Sequence, residues 1–579
     1  MTYAEVKVEV DACRRALRNS GVVKADRVGI ISRNSFEWAV YAYAGYGLGA
    51  VNVPMYEQQK ESDWRYMCED SGLKILVVNT EAIYETVKCF VGTVGNVERV
   101  LCCGFPQEHP DSWAGFMESG HAIELDDNPE LSSVNSSDLA TIIYTSGTTG
   151  VPKGVMLSHG NLCSNIKGVV DATEGWKTRL VTHDDQSLAF LPWAHSYAQT
   201  CELHAGLAVG ASAAIHNGTP GDAAALLENI QAAKPSLLFS VPTLYIKVYD
   251  GVHAKLAGET GVKKMLMQSA LDVGEKVRKI RAAGEEPGMI LDWQHQMLDK
   301  VVLSKIRDQF GGNLRMAFAA GAPTPIAVLD FMESIGVRMV EGYGLTETSP
   351  VISTTCPDPG VCPAGSVGFA LPGVDVKLMM DGVEVEGEGE LWCSGPNVMQ
   401  GYWQKPDETA EVMVVEADGK QWFRTGDVAT IMNDGNIKIT GRIKEQYKLE
   451  NGKYVAPAPI EGAMVLNKVV AQCILYGDAK PFNVAGIVPD FEVVAKELGL
   501  EGPDAEPTSI CANPLVQDFV SAEVDAELAS RDVAKFARPK RYLLIAEPFT
   551  AQNEMLTPKL SIRKPAVLRV YKDAFDGLY

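Results

Sequence analysis

The segment YTSGTTGVPKGVMLSHGNL, Tyr144 to Leu162, sets a run of glycines and hydroxyl residues directly after the β-prone stretch ATIIYT. Glycines let backbone N–H groups turn inward, hydroxyls supply donors, and Lys153 adds a positive charge. Together these suit a polyphosphate. Thr145, Ser146, Gly147, Thr148, Thr149 and Gly150 are therefore candidate phosphate-binding residues, with Lys153 as the cation. The spacing is not GxxxxGK[ST], which excludes a Walker-type loop. Taken alone, a Ser/Gly loop is often only a loop; the full TSGTTGVPKG string favours phosphate.

Three further strings hold residues suited to nucleotide chemistry: EGYGLTETSP (Glu341–Pro350), WFRTGD (Trp422–Asp427) and GRIKEQYKLENGKYVAPAPIE (Gly441–Glu461). With the glycine-rich loop they resemble, in the same order, the motifs of the adenylate-forming superfamily, which includes acyl-CoA synthetases, luciferases and peptide-synthetase adenylation domains. The resemblance implies roles. Glu341, Gly342, Tyr343 and Gly344 would form the adenine site, with Tyr343 stacked on the base. Thr346 would bond the α-phosphate, and Glu347 would hold Mg²⁺, a hard cation that prefers oxygen ligands. Asp427 would accept the ribose hydroxyls and Arg442 would donate to the ribose. Lys444 matches the hinge position. Gly321 and Ala322, after MAFAA, match the segment between base and acyl pocket, where small residues allow close approach. His195, in LPWAHSYAQ, stands where the family carries a histidine near the substrate carboxylate; a satisfied core histidine is the alternative.

The stretch RVGIISRNSFEWAVYAYAGYGLGAVNVPMYE and the hinge variant KLENGKYVAPAPIE resemble the long-chain acyl-CoA synthetases. That branch implies ATP-dependent joining of a fatty acid to coenzyme A through an acyl-adenylate, with AMP and pyrophosphate released. Carrier-protein loading, a medium-chain substrate, or an adenylate-binding homologue without turnover remain alternatives. One motif departs. Long-chain members show an LTPTxKxKR-like segment whose first lysine serves adenylation, but this chain reads Leu556-Thr557-Pro558-Lys559-Leu560-Ser561-Ile562-Arg563-Lys564. Ser561 stands at the lysine position. Lys559, two residues earlier, is the expected replacement, and Lys564, expected at the surface, is the alternative.

These residues need a scaffold. VGIIS (28–32), KILVVN (74–79) and ATIIYT (140–145) read as buried parallel strands. Helical patterns at 36–45 and 223–233, the second capped by Asp222, alternate with such runs. Thr2-Tyr3-Ala4-Glu5 is a capping-box start for an N-terminal helix. Residues 251–310 read as a helical insertion, and short strands with Asp418-Gly419 and Asp434-Gly435 hairpin turns follow position 387. The expected fold is α/β. A large N-terminal domain, 1–440, would have parallel-rich sheets and, by resemblance, a distorted β-barrel; a small mobile α+β domain would span 441–579.

A net charge of −22 argues against a general nucleic-acid binder. The 12 cysteines and nine histidines show no metal-ligand spacing, so reduced thiols and a cytoplasmic setting are expected. No apolar run is long enough to span a bilayer, which leaves peripheral membrane association open. The expected partners are a fatty acid, ATP and coenzyme A.

Overall fold

The computed structural model describes every residue except 125–132, 147–150, 173–174, 220–221, 532, 551 and 557–561. The first sheet begins with β1 (Arg27–Ile31), β2 (Val51–Met55), β3 (Ile75–Val78) and β4 (Arg99–Cys102), which run parallel and flank β1 in the order β2-β1-β3-β4. β5 (Leu139–Ser146) joins parallel to β2, and β6 (Pro152–Ser158) folds back antiparallel on β5. The outermost strand, β17 (Gly401–Tyr402), pairs antiparallel with β6. Every residue of β2 and β3 is buried, as expected of strands covered on both faces.

The second sheet places β8 (Ser212–Ile215), β7 (Gln186–Ala189), β9 (Leu237–Ser240), β10 (Met316–Ala320) and β11 (Arg338–Gly344) side by side in parallel. β12 (Val351–Thr354) and β13 (Phe369–Ala370) close that edge antiparallel. A third sheet of β14 (Asp375–Met380), β15 (Val383–Glu384), β16 (Glu388–Ser394), β18 (Met413–Val415), β19 (Gln421–Ile431) and β20 (Ile437–Arg442) is antiparallel throughout. It forms a half-barrel, in keeping with the distorted barrel expected. Both Asp-Gly turns fall where the sequence placed them, between β18 and β19 and between β19 and β20.

After β20 come the short pair β21 (Tyr447–Lys448) and β22 (Tyr454–Val455). A three-stranded sheet follows, of β23 (Val470–Tyr476), β24 (Asn483–Pro489) and β25 (Pro539–Leu544). Helices Pro457–Met464 and Pro514–Ser530 pack on this sheet through Ile460, Val520, Val524 and Leu528. The expected division after residue 440 falls inside β20, whose Gly441 still pairs with Val428 of β19. Across the two halves, Lys60 forms an ion pair with Glu554.

The helix ends follow local chemistry. The Thr2 hydroxyl accepts from the Glu5 N–H while the Glu5 carboxylate accepts from the Thr2 N–H. Asp222 caps helix Ala223–Ala233 through the Ala225 N–H at 3.0 Å. The helical insertion is present, but its first helix starts earlier than expected, at Pro242. A proline suits that first-turn position because its missing N–H is not needed there.

Candidate active site

The phosphate candidates sit on the β5–β6 hairpin. Antiparallel register sets Thr145 opposite Lys153 and Ser146 opposite Pro152, so the strand ends flank the loop; Gly147, Thr148, Thr149 and Gly150 lie outside the described residues. The Lys153 ammonium stands 5.1 Å from the ring centroid of Tyr402. β17 brings that ring there by pairing Tyr402 with Val155.

The EGYG string forms the end of β11. Parallel register sets Ala320 of β10 beside Gly342, so Gly321 and Ala322 emerge next to Tyr343 at the carboxyl edge of the sheet. Open α/β sheets bind ligands along that edge. Gly321 has φ +87°, a left-handed conformation that other residues rarely adopt. Gly344 is required for a different reason: a Cβ there would lie 1.8 Å from the Pro350 carbonyl oxygen. That carbonyl accepts from the Leu345 N–H at 3.0 Å and so folds the chain into the turn carrying Thr346 and Glu347. Glu341 is buried, and burial pushes its carboxyl up to about 7.

Glu347 accepts a hydrogen bond on Oε1 from the Tyr402 hydroxyl at 2.8 Å. Its backbone carbonyl accepts from the Met399 N–H at 2.8 Å, which fixes the 399–402 segment beside it. Burial, then the Glu347 charge, holds the Tyr402 phenol well above its ordinary range, so it stays a donor. Tyr402 thus touches both the candidate metal carboxylate and, through its ring, the candidate phosphate lysine. The sequence reading missed it, and nothing in its local string marks it.

Thr346 is buried, with its Oγ1 3.2 Å from the Ser196 hydroxyl. Ser196 was also missed, although it lies in the LPWAHSYAQ string. His195 is half-buried, and its Nδ1 accepts from the Tyr197 N–H at 3.1 Å, which assigns the proton of the neutral ring to Nε2. The next turns, Ala198–His204, are wound as a π-helix whose residues are all buried. There Glu202 is raised to about 8 by burial.

Asp427 joins the second and third sheets. Its Oδ2 accepts from the Tyr343 hydroxyl at 2.6 Å, and its Oδ1 accepts from Arg442 Nε at 2.6 Å. Asp427 and Arg442 face each other directly in the β19–β20 register. Burial works against the Arg442 charge, but the Asp427 carboxylate outweighs it and raises the guanidinium above its usual range. Lys444 is exposed in the turn that follows, where the Arg442 carbonyl accepts from the N–H groups of Glu445 and Gln446.

Lys559 and Ser561 lie outside the described residues. Lys564 corrects an expectation: it is not a surface residue. It opens helix Lys564–Asp576 and pairs at 2.8 Å with Glu461, whose carboxyl is raised by burial despite that partner. The shared oxygen of Glu461 also accepts from the Leu475 N–H at 2.7 Å.

A hairpin strand that carries Lys153, and an aromatic–carboxylate–arginine relay at the carboxyl edge of a parallel sheet, suit a nucleotide-binding α/β protein. The fold is similar to that of a carboxylate reductase adenylation domain from Mycobacterium chelonae (TM-score 0.77, 22% identity, covering 100% of this chain and 84% of that one). It is also similar to the anthranilate CoA ligase AuaEII solved with anthranoyl-AMP (TM-score 0.72, 18% identity, 100% and 93% covered). Residues 1–403 match the profile of the AMP-binding enzymes. Full-length similarity runs to a long-chain-fatty-acid–CoA ligase, FadD15, of Mycobacterium bovis (31% identity, 100% of this chain and 92% of that one). A peroxisomal long chain acyl-CoA synthetase 7 of Arabidopsis thaliana is 30% identical, with 100% and 81% covered. The chain belongs to the AMP-binding enzyme family.

Proposed function

We propose that this chain is an AMP-forming long-chain-fatty-acid–CoA ligase. The observation that carries the reading is the convergence on one site of Lys153, Glu347 and the Tyr343–Asp427–Arg442 relay. The full-length relatives named as long-chain ligases supply the substrate class.

In this reading the fatty carboxylate attacks the α-phosphorus of ATP and pyrophosphate leaves. The thiol of coenzyme A then attacks the acyl carbonyl and AMP departs. The first step gathers anions, so fixed cations and oriented donors must offset the developing charge. Lys153 serves the phosphates, Thr346 the α-phosphate, and Tyr343, Asp427 and Arg442 the nucleoside. Gly321, Ala322, Glu341, Gly342 and Gly344 shape the edge on which the base lies. His195 orients the acid, and Lys559 supplies the C-terminal charge. The hard oxygens of Glu347 fit Mg²⁺, with ATP phosphates completing the shell, and no group of three or more metal-ligating side chains occurs among the described residues. Bound there, Mg²⁺ would neutralise phosphate charge. A nucleotide-binding half, 1–440, and a mobile C-terminal half, 441–579, with Lys444 at the hinge, complete this reading. All twelve cysteines are free thiols, which supports a reducing, cytoplasmic setting. No helix among the described residues is long and apolar enough to cross a membrane.

The test is ATP–pyrophosphate exchange over fatty acids of graded length, followed by product analysis with and without coenzyme A. Long-chain-dependent exchange, with AMP and acyl-CoA as products, is expected. ADP as the stoichiometric product would overturn the assignment.

A further inference from the structure

Helix Met289–Leu298 and the turn Asp299–Leu303 that continues it carry a bare apolar face. Met289 is 90% exposed, Ile290 77%, Trp293 64%, Met297 49% and Val301 46%. Steps of four set Met289, Trp293 and Met297 on one side of the helix. Trp293 is the exposed tryptophan among nine; the other eight are buried or half-buried. The same element is anchored from behind, because Leu298, Val302 and Leu303 pack into the core of the second sheet. The outward face is therefore held in place rather than free to fold inward.

The polar residues on this element fit a lipid surface. Its other exposed side chains are Gln294, Gln296 and Lys300, and no carboxylate is exposed along 289–301. Asp292 accepts from Gln296 Nε2 at 2.8 Å, and Asp299 is paired with Arg307 at 2.6 Å. Lys300 and Lys305 are exposed at one end, Glu285 and Glu286 at the other. Residues 251–310 hold ten Lys and Arg against eight Asp and Glu, in a chain whose net charge is −22. This is a face that a negatively charged bilayer would not repel. Soluble proteins rarely leave such contiguous apolar surface open without a partner. Tryptophan is favoured at the headgroup level, and an amphipathic helix lies in that plane with its apolar side sunk into the acyl boundary.

We propose that the 289–301 face docks the protein peripherally on a lipid bilayer. A substrate with a long acyl chain partitions into the same phase, so docking would set the enzyme beside its supply. That advantage rests on the function proposed above, but the docking itself does not.

Co-sedimentation with phosphatidylcholine vesicles, with and without phosphatidylglycerol, tests the surface without turnover. Wild type should pellet with vesicles, with its tryptophan emission shifted to the blue. Trp293→Phe should still pellet but lose much of the shift. The double variant Trp293→Glu/Met297→Glu should lower partitioning by about tenfold or more, since each lost apolar side chain removes a sizeable burial gain. Retained circular dichroism and thermal melting would confirm that this variant folds. Wild type staying in the supernatant with both lipid mixtures, or the double variant pelleting like wild type, overturns the proposal. So does a wild-type dimer in sedimentation velocity that the double variant converts to monomer, because a second copy would then cover the face.

Discussion

The Tyr402 hydroxyl donates to Glu347 at 2.8 Å while its ring lies under the Lys153 ammonium at 5.1 Å. One side chain from the edge of the first sheet therefore spaces two groups of opposite charge, both proposed to serve the phosphates. Tyr402→Phe keeps the ring and removes only the donor. The expected result is an adenylation rate lower by about tenfold, of the order of one hydrogen bond to a charged group, with a raised Mg²⁺ requirement. Tyr402→Leu should add a rise in KM for ATP. Measuring pyrophosphate exchange across Mg²⁺ concentrations checks both, and an unchanged Mg²⁺ profile in Tyr402→Phe would contradict the role.

Ser196 and Thr346 share a buried hydroxyl contact of 3.2 Å. If Ser196 orients Thr346, then Ser196→Ala should lower kcat of adenylation by roughly three- to tenfold, one neutral hydrogen bond's worth, and leave KM for ATP near wild type. Ser196→Thr should restore part of the rate. A change confined to KM would point to nucleotide binding instead.

Glu202 is buried in the π-helical turn and is raised to about 8. An unfolded chain releases that proton near the ordinary glutamate value, about 4.3. Between those pH values the folded state holds one more proton than the unfolded state, so stability falls as pH rises. Glu202→Gln removes the proton and should melt higher than wild type at pH 8, with the gap closing toward pH 4.5. Parallel melting curves over that range decide it.

Lys444 is exposed in the turn after β20. Lys444→Ala should leave pyrophosphate exchange within about twofold and lower thioester formation by tenfold or more, if the turn must reorganise between the half-reactions. Equal losses in the two assays would remove it from the hinge.

The C-terminal lysines separate cleanly by assay. Lys559→Ala should cut adenylation by about two to three powers of ten while sparing thioester formation from supplied acyl-adenylate. Ser561→Ala should be near neutral. Lys564→Ala should lower the melting temperature, because it leaves Glu461 half-buried without its cation, at a cost of about 1–3 kcal/mol. Loss of adenylation in Lys564→Ala with an unchanged melting temperature would give the role to Lys564.

Much of the scaffold was legible because its signals are local. The Thr2 and Asp222 caps, the buried β-runs and the two Asp-Gly hairpins are each decided within a few residues of chain. The nucleotide motifs were legible as strings, but their joining was not. Tyr402 meets Glu347 across 55 positions and Ser196 meets Thr346 across 150. No periodicity encodes such pairs; the first exists because β17 pairs with β6 at the edge of the first sheet, and the second joins two segments distant in sequence.

Arg442 is at once the partner of Asp427 and the last residue of β20, with its carbonyl bonded to the amides of the turn beyond. A ribose that competes for Asp427 must disturb the same arginine whose backbone anchors that turn. Coupling of this kind is reciprocal: if an occupied nucleotide site shifts the turn's equilibrium by some factor, the turn's conformation shifts nucleotide affinity by the same factor. Locking the turn would therefore appear as a change in ATP binding, even though nothing bound to the nucleotide had been altered.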